Sequence, residues 1–195
     1  MSLFYKTTLS RCHNFVEKTE PMKQILILFS VCSFLSLACS INAQVKLPDV
    51  KPEMKKLNWL IGKWKGQGWM MLPNGQRESF DQIEVVQWKL DSTIIQIEGQ
   101  GIADEKIVHN ALAILSFNAE KQEFSFSSYL SDGRQGLYKA EVLDTTSMRW
   151  WLETPRGKIR YTIKLEEDQW LETGEFEMRP DNWFQIFEMK LERAD

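Results

Sequence analysis

From Gly62 onward the chain alternates apolar and polar residues, and turn-forming residues break the alternation every eight to fourteen positions. The runs span Lys63–Met71, Arg77–Leu90, Thr93–Ala103, Lys106–Phe117, Glu123–Leu130, Gln135–Leu143, Ser147–Thr154, Lys158–Leu165, Gln169–Met178 and Trp183–Arg193. Leu72-Pro73-Asn74-Gly75, Ser131-Asp132-Gly133, Pro155-Arg156-Gly157 and Pro180-Asp181-Asn182 are the clearest of the intervening turns. The pattern predicts about ten strands. The later runs also declare their faces. Ile159, Tyr161, Ile163 and Leu165 alternate with Lys158, Arg160, Thr162 and Lys164, so the first set should point inward. The same rule turns Trp170, Glu172, Gly174, Phe176 and Met178 inward, and likewise Trp183, Gln185, Phe187, Met189 and Leu191. Phe124, Phe126, Ser128 and Leu130 form another inward set, as do Tyr138, Ala140 and Val142. Ile95, Ile97, Gly99 and Gly101 give an inward face with no bulk at one end. In Arg77–Leu90 and Lys106–Phe117 the period is ambiguous and neither face is assigned.

Short connections force sequential strands to pair antiparallel, giving a meander. Ten twisted strands close more readily than they stay open, and closure removes the exposed edges. The expected fold is therefore all-β: an up-and-down antiparallel barrel, with a two-sheet sandwich as the competing arrangement. One helix is expected before it, over Pro52–Ile61. Proline fits the first helical turn, Met54, Leu57 and Leu60 recur at helical spacing, and Gly62 terminates it.

The remaining long apolar run, Ile25–Ala38, is too short to span a bilayer as a helix. Lys23 precedes it and the small residue Ala43 follows, which reads as a secretory leader cleaved after Ala43, with translation starting at Met22. A retained anchor, or a lipoprotein attached at Cys39, are the alternatives. The segments are then a leader over 1–43, a linker and short helix over 44–61 and a barrel over 62–195, with export to the periplasm or the exterior. No membrane span is expected once the leader is removed. Cys12, Cys32 and Cys39 all lie in the leader, so no disulfide or cysteine-bound metal is expected in the mature chain. Cleavage would leave 20 basic and 25 acidic residues. That balance offers no field for a nucleic-acid backbone, and no nucleic-acid partner is expected.

The string Asn58-Trp59-Leu60-Ile61-Gly62-Lys63-Trp64-Lys65-Gly66 carries Gly-x-Trp at the head of the first strand. Here the chain resembles the calycin superfamily of lipocalins and fatty-acid-binding proteins, and within it nitrobindin-like barrels and bacterial lipocalin-like domains of unknown function. The resemblance implies that Trp64 plugs a closed end and that an arginine of a late strand covers it, for which Arg193 is the candidate. Nitrobindin-like proteins hold haem through a histidine near the C-terminus. This chain has no histidine after His109, so haem is not expected, and a lone histidine cannot build a zinc site.

Polar residues on apolar inward faces are the candidate chemistry. Tyr161, Glu172 and Gln185 fall on three successive strands, with Tyr138 and Ser128 nearby. An inward carboxyl is costly unless paired, hydrogen-bonded or protonated. Glu172 is thus either solvated at a mouth, in contact with a ligand, or a general acid or base. Eight tryptophans, including Trp150-Trp151, either fill the core, line a cavity or form an outer patch. No phosphate loop, nucleophile elbow or metalloprotease motif is present, and no catalytic residue is assigned. The expected work is non-covalent binding of a small apolar or amphipathic molecule in the interior. Phe126, Tyr138, Phe176 and Phe187 would supply walls and Tyr161, Glu172 and Gln185 would orient the polar end. An envelope interaction module with a filled barrel is the alternative. Oligomeric state is left open.

Overall fold

The computed structural model describes residues 48–195; the leader expectation lies outside them. A short helix α1 (Lys51–Met54) runs directly into a 3-10 segment (Lys55–Leu60). Ten strands follow: β1 (Gly62–Met71), β2 (Arg77–Lys89), β3 (Ile94–Ala103), β4 (Lys106–Asn118), β5 (Glu123–Leu130), β6 (Gln135–Val142), β7 (Ser147–Thr154), β8 (Gly157–Glu166), β9 (Gln169–Arg179) and β10 (Asn182–Ala194). Every sequential pair is antiparallel, and β1 pairs with β10, closing the barrel. The expected fold class holds, and each strand agrees with its sequence pattern to within a residue at either end. The expected single helix is instead split, its last six residues tightening to 3-10 geometry before Gly62.

The two ends of the barrel differ. At the end that carries the helix, Met54, Leu57 and Leu60 are completely buried. They pack with the first inward layer of the wall, which includes Trp64, Ile95, Leu115, Met148, Ile163, Trp170 and Leu191, each at most 2% exposed. Trp64 Nε1 donates to Leu60 O at 2.8 Å, and its ring meets Trp170 edge-on with centroids 5.7 Å apart. The Arg193 guanidinium lies 4.2 Å from the Trp64 ring centroid and donates to Ile61 O at 2.9 Å and Trp59 O at 3.0 Å. One side chain thus ties the last strand to the helix and to the plug. This end is solid.

Toward the other end the inward residues shrink or lose their cover. Gly68, Gly99, Gly101, Gly136 and Gly174 occupy inward positions, and the space they leave is taken by Phe80, Glu84, Gln82, Tyr138 and Tyr161 respectively. Ser128, Tyr138, Trp150, Leu152, Ile159, Tyr161, Phe176 and Phe187 point into the barrel and yet are only half-buried. Above the sealed Trp64 layer the barrel therefore ends in a cup whose lining residues water reaches.

Candidate functional site: an aromatic cup with two carboxyls at its floor

Aromatic rings run round the cup wall from strand to strand. Phe126 stacks on Trp150 with centroids 4.5 Å apart and planes 6° from parallel. Trp150 stacks in turn on Tyr161 at 4.3 Å and 12°. Ala140, opposite Trp150 on β6, is the small residue that lets the β5 and β7 rings meet. Tyr138 tilts against Trp150 at 5.4 Å. Tyr161 meets Phe187 edge-on at 5.7 Å, and Phe187 stacks on Phe80 at 5.9 Å. Offset and edge-to-face pairs of this kind add to the burial energy of each ring. Gly174 permits the Tyr161–Phe187 contact, because a Cβ there would lie 2.7 Å from Tyr161 Cε1.

Below the rings sit two carboxyls. Glu84 on β2 and Glu172 on β9 are 6% and 7% exposed. Gln82 Nε2 donates to Glu84 Oε1 at 2.7 Å, and Trp170 Nε1 donates to Glu172 Oε2 at 3.3 Å. Glu84 Oε2 and Trp150 Nε1 are buried and have no hydrogen-bond partner. An unpaired buried polar atom costs on the order of 1–3 kcal/mol, so two of them in one place mark an unfilled role.

Burial pushes the Glu84 carboxyl up to about 7, opposed by the hydrogen bond from Gln82. Burial likewise pushes Glu172 up to about 8, reinforced by the charge of Glu84 and opposed by the N–H groups of Trp170 and Trp150. Trp150 is close enough to favour an ionised Glu172 but does not meet hydrogen-bond geometry. Tyr161 is pushed up to about 12, first by burial and then by Glu172 and Tyr138. Around neutral pH the two glutamates therefore hold fewer than two negative charges between them.

The positions anticipated from sequence fall in different places. Phe126, Tyr138, Tyr161 and Phe187 lie in one aromatic band, with Phe176 nearer the rim and Glu172 at the floor. Trp150, for which the sequence allows core, cavity or outer patch, belongs to the cavity wall. Gln185 does not face inward, and the expected inward face of β10 needs correction. Its register against β9 shifts between Gln185 and Phe187, so that Ile186 is an extra residue. That single insertion reverses the alternation. Gln185 turns to the outer face, where its amide donates to Glu188 Oε2 at 3.0 Å. Trp183 turns out as well, and the Arg160 guanidinium lies 4.0 Å from its ring centroid. Arg160 also donates to Glu175 Oε2 at 2.7 Å on the same outer face.

Glu84 is not singled out by the sequence pattern. Its strand places Phe80, Gln82, Glu84 and Val86 inward and Asp81, Ile83 and Val85 outward, so the polar and apolar faces are partly inverted. A legible signal lay on the next strand. Gly99 and Gly101 stand opposite Glu84 and Gln82 and leave the space those side chains fill. His109 on β4 lies opposite Gly101 near the rim, half-buried. Burial and the nearby Arg134 hold its pKa below the usual imidazole value, with Asp132 opposing.

Outside the wall, a groove of about 890 Å³ runs past Lys55, Lys56, Lys139, Leu143 and Trp151. Its basic side chains are exposed, and none of its lining atoms is a buried orphan.

No protein-family model matches the sequence, and no curated protein matches it. Sixteen chains of solved structure do resemble the fold. The crystal structure of Rv2717c from M. tuberculosis superposes with a TM-score of 0.55 at 13% identity, covering 75% of this chain and 100% of that one. The structure of the S-type phycobiliprotein lyase CPES from Guillardia theta superposes with a TM-score of 0.49 at 10% identity, covering 76% of this chain and 98% of that one. The likeness is one of fold: a closed antiparallel β-barrel, ten-stranded in this chain.

Proposed function

We propose that the protein is an exported, lipocalin-like carrier that holds a small amphipathic molecule non-covalently inside the cup. The observation that carries this reading is the contrast between the two halves of the barrel. Inward residues around Trp64 are sealed, whereas Trp150, Tyr161, Leu152, Ile159 and Phe187 point inward and keep accessible surface. A concave, mostly apolar wall with a few convergent polar groups is the usual form of a small-molecule site. The sequence resemblance to lipocalins and to nitrobindin-like barrels supports the same reading. Export rests on the leader pattern up to Ala43.

Uptake of the neutral fluorophore N-phenyl-1-naphthylamine tests the binding reading. The expected result is a saturable rise in its emission at one site per chain, lost when Leu152→Trp fills the cup. Absence of saturable uptake by the folded protein contradicts it. Secretion of the full-length chain, with the mature N-terminus read at Gln44, tests export; cytoplasmic retention of the uncleaved chain contradicts it.

A further inference from the structure

We infer that the cup selects a cationic amphiphile, an amine joined to a planar or apolar body, whose ammonium group is received by Glu84 and Glu172. This rests on the carrier reading and names the chemistry of its ligand.

The geometry supplies three independent arguments. First, two carboxyls of the interior, Glu84 and Glu172, come together at the floor, and Glu84 Oε2 is buried without a donor. An ammonium group brings up to three N–H donors and no acceptor, which is what that oxygen lacks. Second, the wall beside the carboxyls is a continuous stack of Phe126, Trp150 and Tyr161, an apolar surface against which the body of an amphiphile packs while its charged end reaches the acids. Third, the residues paired with the two carboxyls across the ladders are Trp64, Gly99, Ile163 and Met189, none of them cationic. Arg193 lies at the closed end, engaged with Trp64, Ile61 and Trp59. A carboxylate ligand would meet two acids and no counter-charge, an arrangement that rejects it.

The charged and titratable groups facing the pair are few. Glu84 and Glu172 face each other from β2 and β9, and Tyr161 of β8 and Tyr138 of β6 stand beside them. At the rim lie Glu78 of β2, opposite Met70, Lys106 of β4, opposite Ala103, and His109 of β4, with Arg134 and Asp132 beyond it. Burial keeps both carboxyls protonated to higher pH than usual, so an incoming ammonium must displace a proton at pH 6 but less often at pH 8. Amine affinity therefore rises with pH over that interval, while the affinity of a neutral analogue stays level.

Calorimetric titration of the purified protein with 1-naphthylmethylamine, 1-naphthalenemethanol and 1-naphthoate separates the possibilities. At pH 8 the amine should bind at least tenfold more tightly than the alcohol, and the naphthoate should be weakest. From pH 8 to pH 6 the amine should lose at least fivefold and the alcohol nothing. Glu84→Gln and Glu172→Gln should each reduce the ratio of amine to alcohol affinity, with an unchanged circular-dichroism spectrum showing that the variants are folded. Equal affinity for the three compounds, or a preference for the amine that survives in the double variant, overturns the inference and leaves the carrier reading intact. Failure of the alcohol itself to bind overturns both.

Discussion

Gly99 of β3 faces Glu84 of β2 across the ladder so closely that a methyl group at Gly99 would lie 2.6 Å from Glu84 Oε1 and 2.8 Å from Oε2. The glycine is the vacancy into which the carboxyl folds. Gly99→Ala should therefore force Glu84 from its place at a cost of about 1–3 kcal/mol, read as a lower denaturation midpoint. In a Glu84→Ala background the same change should cost much less, because nothing remains to collide with. Equal costs in the two backgrounds would show that the pair is not coupled.

The carboxyl pair also sets how stability depends on pH. Both folded-state pKa values lie above those of an unfolded glutamate, at about 7 and about 8. Between the unfolded value and those values the native state binds more protons than the unfolded chain, so stability falls as pH rises. The expected loss from pH 5 to pH 9 is at least about 3 kcal/mol, since raising a pKa by one costs the charged form about 1.4 kcal/mol. Chemical denaturation at a series of pH values measures it. Glu172→Gln should flatten the profile and raise stability at pH 9; a profile as steep as that of the parent would place the dependence elsewhere.

Arg193 supports the closed end and takes no part in the cup. Its replacement by alanine leaves the Ile61 and Trp59 carbonyls without their donor and the Trp64 ring uncovered. The guanidinium is exposed, so the expected cost is about 1–2 kcal/mol and not more. Lysine at this position cannot reproduce the two-pronged contact and should recover only part of it. Uptake of the neutral fluorophore below the melting temperature should be unchanged in both variants.

Gln185 and Trp150 should behave oppositely. Gln185→Ala removes an outer-face contact to Glu188 and should shift stability by less than about 0.5 kcal/mol, with no effect on uptake. Trp150→Leu breaks the Phe126–Trp150–Tyr161 stack and should weaken uptake at least tenfold. A fluorescence titration of the two variants side by side checks both.

The strands were legible because turn residues and two-residue alternation are local properties, and ten of them in succession left a barrel or a sandwich as the choice. The closed end was legible for a different reason: Gly62-Lys63-Trp64 is a contiguous string. Facing was legible only where polarity and geometry agree. On β8 they agree throughout. On β2 they do not, because the site itself puts Gln82 and Glu84 on the inside and leaves Ile83 and Val85 on the outside. The bulge at Ile186 hid a second error. No residue there is glycine or proline, and nothing local announces that Gln185 and Phe187 lie on opposite faces. The orphaned Glu84 oxygen and Trp150 N–H are properties of the assembled interior and have no counterpart in the sequence.

A guest residing inside the cup is the central claim. Intermolecular nuclear Overhauser contacts between bound N-phenyl-1-naphthylamine and the leucine and isoleucine methyl groups locate it directly. The expected result is contacts to Leu152 and Ile159 and none to Leu191 in the sealed layer. Contacts confined to Leu143, beside the outer groove, or to Leu112 and Leu137 on the outer wall would contradict it.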